Sequence, residues 1–258
     1  MNSLTDGFKQ PIPAWVCEIS NEALQKISRS SFATMCRTGD MRLTKNLFLR
    51  FWPFVDAFPN IINRSCVHIL KKELVKTFGL DMIDIFRLGF QVLSSMQKDE
   101  EDHRQLWLKT ANVLGLTSAD LRQRPIPEVK TATSVIAEDI DPYTMFLRFV
   151  GVEVVAESMS EYFLSSEKFK SALGKEGLRW FEVHVAHEGM SHKELAFKLA
   201  RALHRGELTS VESHAVIHHV VDIFIGAAEA CAGANEPQSS LSSEFALAEE
   251  VATSGSKV

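Results

Sequence analysis

Cysteine is scarce in this chain, with four in 258 residues. Cys17, Cys36, Cys66 and Cys231 lie far apart and form no CxxC pair. That argues against a zinc ribbon or a disulfide framework and fits a reducing, cytoplasmic setting. Positive charge is not in excess either: 28 Lys and Arg face 33 Asp and Glu, for a net charge of −5. Nucleic acid and anionic membrane therefore have no electrostatic case as main partners. The N-terminus has no charged region leading into an apolar one, so no signal peptide is expected. No uninterrupted apolar run reaches the ~20 residues that a bilayer span needs. The stretch from Ala215 to Ala230 comes nearest, and His218, His219 and Asp222 interrupt it. Glycine-rich phosphate loops, an HExxH zincin motif and a GxSxG nucleophile elbow are all missing. So is any convincing alternating strand or Asn-Gly hairpin.

What is present is helical periodicity, with 45% hydrophobic residues to form a core. The pattern predicts about seven long helices. The first runs from about Asn21 to Cys36. The next runs from Thr44 towards Phe58, broken or kinked at Pro53, and another follows Pro59. A long helix covers about Met82 to Leu114. Arg122 to Thr133, with Pro125 and Pro127, reads as a loop. Asp141-Pro142 is an N-cap with proline at the first helical position, opening a helix to about Leu164. Lys175 to about His204 and Thr209 to Ala232 are the last two. The expected organisation is one helical domain over residues 1–233, followed by a disordered tail over 234–258. An all-α bundle of this kind builds its ligand sites from facing helices.

Three clusters carry chemistry. In the first, His184, Glu188 and His192 are spaced i, i+4, i+8. On one continuous helix each step drifts by only about 40°, so the three would share a face. Such nitrogen and oxygen donors suit iron, manganese or zinc. In the second, Glu100 and His103 stand i, i+3 in the acidic run Asp99 to His103, and can converge on one ion or simply form a solvated face. In the third, Glu153 sits among Phe149, Val150, Val152, Val154 and Val155, where a carboxylate is costly to bury unless it is paired or ligates a cation. A rival set, His214, His218 and Asp222, reads more simply as a mixed core-and-surface helix. A ferritin-like site is disfavoured, because Glu100-x-x-His103 has no second copy.

Together these residues resemble the haem-oxygenase-like diiron oxidases, with particular likeness to the fatty-acid-decarboxylating members. The likeness lies in the order Glu100-x-x-His103, then Glu153, then His184-x3-Glu188. It extends to Arg179-Trp180-Phe181-Glu182-Val183-His184, to Trp107, and to the early run Phe51-Trp52-Pro53-Phe54-Val55-Asp56-Ala57-Phe58-Pro59. It covers roughly residues 14 to 230. The resemblance implies a seven-helix haem-oxygenase-like bundle holding two iron ions (Fe2+), with O2 as co-substrate. The implied ligands are Glu100, His103, Glu153, His184, Glu188 and His192. It also implies oxidation of a small amino acid or fatty acid by C–C cleavage, decarboxylation, desaturation or N-oxygenation, in natural-product biosynthesis. Two departures stand out. Glu188 replaces the family's aspartate, and the family's last histidine falls on Ser191. Either a local bulge brings His192 round, or His187 substitutes, or the second ion is weakly held.

The expected partner is thus a small-molecule substrate, with neither nucleic acid nor membrane, and the chain could pair as a homodimer. Arg148, near Glu153, could meet a substrate carboxylate or be an ordinary surface arginine. Two alternatives are kept open. One is a metal-independent thiaminase-like or pyrroloquinoline-quinone-synthase-like enzyme on the same bundle. The other is a non-enzymatic helical binding protein, in which His184 and Glu188 would be exposed.

Overall fold

A computed structural model describes residues 11–69, 83–186, 190–203 and 210–233, which form ten helices and no strand. In chain order they are α1 (Ala14–Ser28), α2 (Ser31–Thr38), α3 (Met41–Arg50), α4 (Trp52–Ile69) and α5 (Ile83–Val113). Then come α6 (Pro127–Ala137), α7 (Pro142–Leu164), α8 (Glu167–Val185), α9 (His192–Leu203) and α10 (Ser210–Gly233). The expected tail beyond Gly233 lies outside the described residues.

The count exceeds seven because side-chain caps and prolines start helices that periodicity alone runs together. Ser30 accepts from Phe32 N and splits the expected first helix into α1 and α2. Asp40 does the same for α3, accepting from Arg42 N at 2.9 Å. Pro53 is tolerated in the first turn of α4, where its missing N–H is not needed. Pro59, expected to open a new helix, lies inside α4 instead. The stretch expected as a loop from Arg122 to Thr133 contains the start of α6, because Pro127 occupies a first-turn position. Asp141 caps α7 as the sequence indicates, accepting from Thr144 N at 2.9 Å.

α7 is the axis of the fold. Its sequence is apolar on nearly every side, and Phe146, Phe149, Val150 and Val154 have no accessible surface. It packs against α1, α8, α9 and α10, while α5 packs against α4, α8 and α9. Glu153, halfway along α7, is therefore flanked by buried apolar residues and is itself 8% accessible. α10 includes a stretch, Val211–Gly233, long and apolar enough by length and composition to cross a membrane, and half of its most apolar window is buried inside the bundle.

The α7–α10 approach is set by Gly151. A Cβ there would lie 2.7 Å from Val220 Cβ and Cγ1, and 3.1 Å from the Ile217 carbonyl. Gly151→Ala should therefore cost about 1–3 kcal/mol through overpacking. Gly226, on an open face of α10, has nothing within 4 Å of an added Cβ. Gly226→Ala should stabilise by about 0.5–1 kcal/mol, since it only removes unfolded-state freedom. Urea denaturation of both variants checks the opposite signs.

Candidate metal centre

The site is assembled from four helices. α5 supplies Asp99, Glu100 and His103, α7 supplies Glu153, α8 supplies His184, and α9 supplies His192. Ligand atoms of Glu100, Glu153 and His192 lie within 4.8 Å of one another. Glu100 Oε1 accepts from His103 Nδ1 at 3.1 Å. His192 Nδ1 stands 3.7 Å from Glu100 Oε1 and 3.7 Å from Glu153 Oε1. The His103 ring lies 4.5 Å from the His184 ring and 6.2 Å from the His192 ring, centroid to centroid. A surface histidine cluster would leave His184 exposed, but it is 6% accessible and faces His103.

His184 and His192 do not share one helix face. α8 ends at Val185, Ala186 is extended, and a new helix begins at His192. The 40° drift holds only within one helix, so the expected stripe is interrupted where α8 ends, and His192 comes from the first turn of α9. Ser191, where the resembling family has its last histidine, sits at the helix start and accepts from Glu194 N at 3.2 Å. Ser191-x-x-Glu194 is a capping-box sequence, a signal in the chain that the helical-face reading missed. Glu188 and His187 lie outside the described residues.

The electrostatics follow from burial and neighbours. Burial raises the Glu100 carboxyl, but the His103 charge and hydrogen bond, with His192 and His184, hold it well below the usual carboxylate range. Burial would lower His103, and Glu100 and Glu153 raise it instead. His184 is pushed down to about 3 by burial and by the charge of His103. For His192 burial again acts downward, but Glu100 and Glu153 push it up to about 11. In the protein without metal, protonated His192 is thus the cation between two buried carboxylates.

His184 is set up differently. Its Nδ1 donates to the Trp180 carbonyl at 2.7 Å. A carbonyl cannot donate, so the tautomer is fixed and Nε2 keeps its lone pair. Metal-binding histidines are held in this way. Two carboxylates, three imidazoles and this fixed tautomer fit an iron-type centre by donor chemistry.

The cluster separates two spaces. On one side is a cavity of about 60 Å3 lined by Phe51, Phe54, Phe58, Trp107, Met159 and Phe224. Trp107 is fixed there by donating to the Phe48 carbonyl at 3.0 Å and stacking on the Phe48 ring. On the other is a polar cleft of about 400 Å3 that includes Asp99, Asp102, Glu157 and Lys193. His103, Glu153 and His184 border both.

Two candidates fall away from the site. Arg148 is engaged with the Val135 carbonyl and with Glu138 at 2.7 Å. In the rival set, His218 pairs with Glu22 at 3.1 Å and Asp222 at 3.2 Å, and Lys26 also pairs with Asp222. That is a surface ion network joining α1 and α10.

If His192 is the internal counter-ion, its removal leaves Glu100 and Glu153 with one fewer positive charge, His103 on Glu100 remaining. In metal-free protein His192→Ala should cost on the order of 2–3 kcal/mol. Adding Glu153→Gln to that variant should recover at least about 1 kcal/mol. Urea unfolding with chelator present reads both values, and a His192→Ala protein as stable as wild type would contradict the account.

No family model matches the chain, and no curated protein matches it. Among solved structures, a TenA homolog from Pseudomonas syringae pv. tomato superposes with a TM-score of 0.67 at 13% identity, covering 84% of this chain and 91% of the other. At that identity the likeness speaks for architecture alone: the chain shares an all-α fold with the TenA homolog.

Proposed function

We propose that this chain is a non-haem diiron oxidase that uses O2 to oxidise a small amino acid or carboxylic acid, in natural-product biosynthesis. The observation that carries the reading is the convergence of two buried carboxylates and three imidazoles from four helices, with His184 locked in the metal-binding tautomer. Glu100, His103, Glu153, His184 and His192 would hold the ions, with Glu188 as the expected sixth ligand. Iron bound there would supply the reduction of dioxygen that oxidation of an unactivated substrate requires. The chain's own residues do the rest. Trp180 orients His184. The aromatic wall of Phe51, Phe54, Phe58 and Phe224 keeps water from the apolar side and receives the uncharged part of the substrate. No lysine or arginine lines that cavity among the described residues, so a charged substrate group belongs at the ligands or in the cleft.

A second reading keeps the bundle without metal. It is favoured by His192 already sitting between Glu100 and Glu153 as a cation, and by the fold shared with the TenA homolog. In that case the imidazole and carboxylates act as acid and base in a metal-independent enzyme, thiaminase-like or pyrroloquinoline-quinone-synthase-like.

Anaerobic loading with ferrous ion separates the two. The diiron reading expects about two iron ions per chain and strong quenching of tryptophan fluorescence, since the Trp180 ring lies 4.2 Å from His184. Glu153→Ala and His184→Ala should each lose most of the iron and the quenching, and oxygen should then give no transient absorption. Less than one iron per chain with no quenching would reject the metal reading. Activity found by screening amino and fatty acids that survives His184→Ala in a folded variant would support the second.

A further inference from the structure

We infer that Asp99 is a positioning residue that makes His192 bind metal through Nδ1. This rests on the metal-centre reading. The ground is the two-sided seat of the His192 ring. Its Nε2 lies 3.0 Å from Asp99 Oδ2, while its Nδ1 lies 3.7 Å from an oxygen of Glu100 and 3.7 Å from an oxygen of Glu153. An ionised carboxylate can only accept, so Nε2 keeps its proton towards Asp99. The nitrogen left to face the two ligand carboxylates is Nδ1. Once the Nδ1 proton has left to solvent through the polar cleft, the Nδ1 lone pair would be the one available to hold a cation there. Nε2–H stays on Asp99, so the outer carboxylate fixes the tautomer and raises the basicity of the ligand.

Two other acidic groups of the run do not share this geometry. Glu101 is engaged with Arg104, and Glu100 faces inward. Asp99 Oδ2 lies closer to a His192 ring nitrogen than Glu100 or Glu153 does, at 3.0 Å against 3.7 Å. The contact spans 93 residues of chain and joins α5 to the first residue of α9. On the next residue, Lys193 pairs with Glu157 of α7. The first turn of α9 is therefore held from both sides, and only the Asp99 side acts on the imidazole. The Asp99 side chain is 44% accessible, so its substitution leaves the core intact.

The test uses full-length protein labelled with 15N-histidine and loaded with Zn2+, a diamagnetic stand-in. Two-bond proton–nitrogen correlations should show His192 with a protonated Nε2 and a metal-shifted Nδ1. Asp99→Ala should weaken Zn2+ binding by about 10–100-fold. Asp99→Asn should recover part of that loss, because its side-chain oxygen still accepts from Nε2–H. Lys193→Ala, in the same turn, should stay within about threefold of wild type, because Lys193 pairs with Glu157 and not with His192. Binding of His192 through Nε2, or an unshifted His192 beside shifted His103 and His184, overturns the inference and leaves the metal centre standing. Equal losses in the Ala and Asn variants also overturn it, since removal of cleft charge then accounts for both. If wild-type protein takes up no Zn2+, the inference and the metal reading fall together.

Discussion

Two carboxylates held out of water beside each other are the constraint around which this bundle is arranged. Glu100 is 9% accessible and Glu153 is 8% accessible. Removing each from water costs several kcal/mol. An ion pair at about 3.7 Å returns about 4 kcal/mol at the effective dielectric of a protein site. The two effects are of the same size, so the cluster is close to neutral for stability. Apolar residues of similar volume would fold as well or better. Five ionisable side chains brought from four helices are poorly explained by folding alone. They are what one expects of a site where a cation, bound or exchanged for a proton, has work to do.

The two faces of the cluster differ in dielectric, and the histidines register the difference. His184 has the aromatic cavity on one side and is driven down to about 3, first by burial and then by the charge of His103. His192, at the polar cleft, is driven up to about 11 against burial by Glu100 and Glu153. One residue type is thus divided between a neutral donor of electron pairs and a carrier of charge. Hydrogen bonds beyond the cluster orient the two rings: the Trp180 carbonyl accepts from His184 Nδ1, and the Asp99 carboxylate accepts from His192 Nε2.

Much of this was legible locally. Asp141-Pro142 announced α7, the long periodic run announced α5, and Glu153 was identifiable because its neighbours on every side are apolar. Glu100 and His103 were legible as a pair because i, i+3 neighbours share a helix face. What escaped was of two kinds. α6 escaped because Pro127 was read as a breaker, although proline suits the first turn of a helix. Asp99 escaped because its partner is 93 residues away, and no periodicity in one helix reports on a hydrogen bond to another.

The fate of the His184–His192 stripe shows how spacing misleads at a site where one helix ends and another begins. Counting by 100° per residue assumes that every intervening residue is helical. Ala186 is not. Once the chain has left one helix and entered another, residue number no longer measures angle. The useful signals are then those that mark ends, here the Ser191-x-x-Glu194 box. A histidine directly after a capping serine lies in the first turn of its helix, where the preceding chain can come in from a new direction. That freedom of approach explains how the residue one place beyond the expected register can reach Glu100 and Glu153, and why its ring can have Asp99 behind it. A histidine kept on the α8 face would have had to meet both carboxylates from the helix that already presents His184.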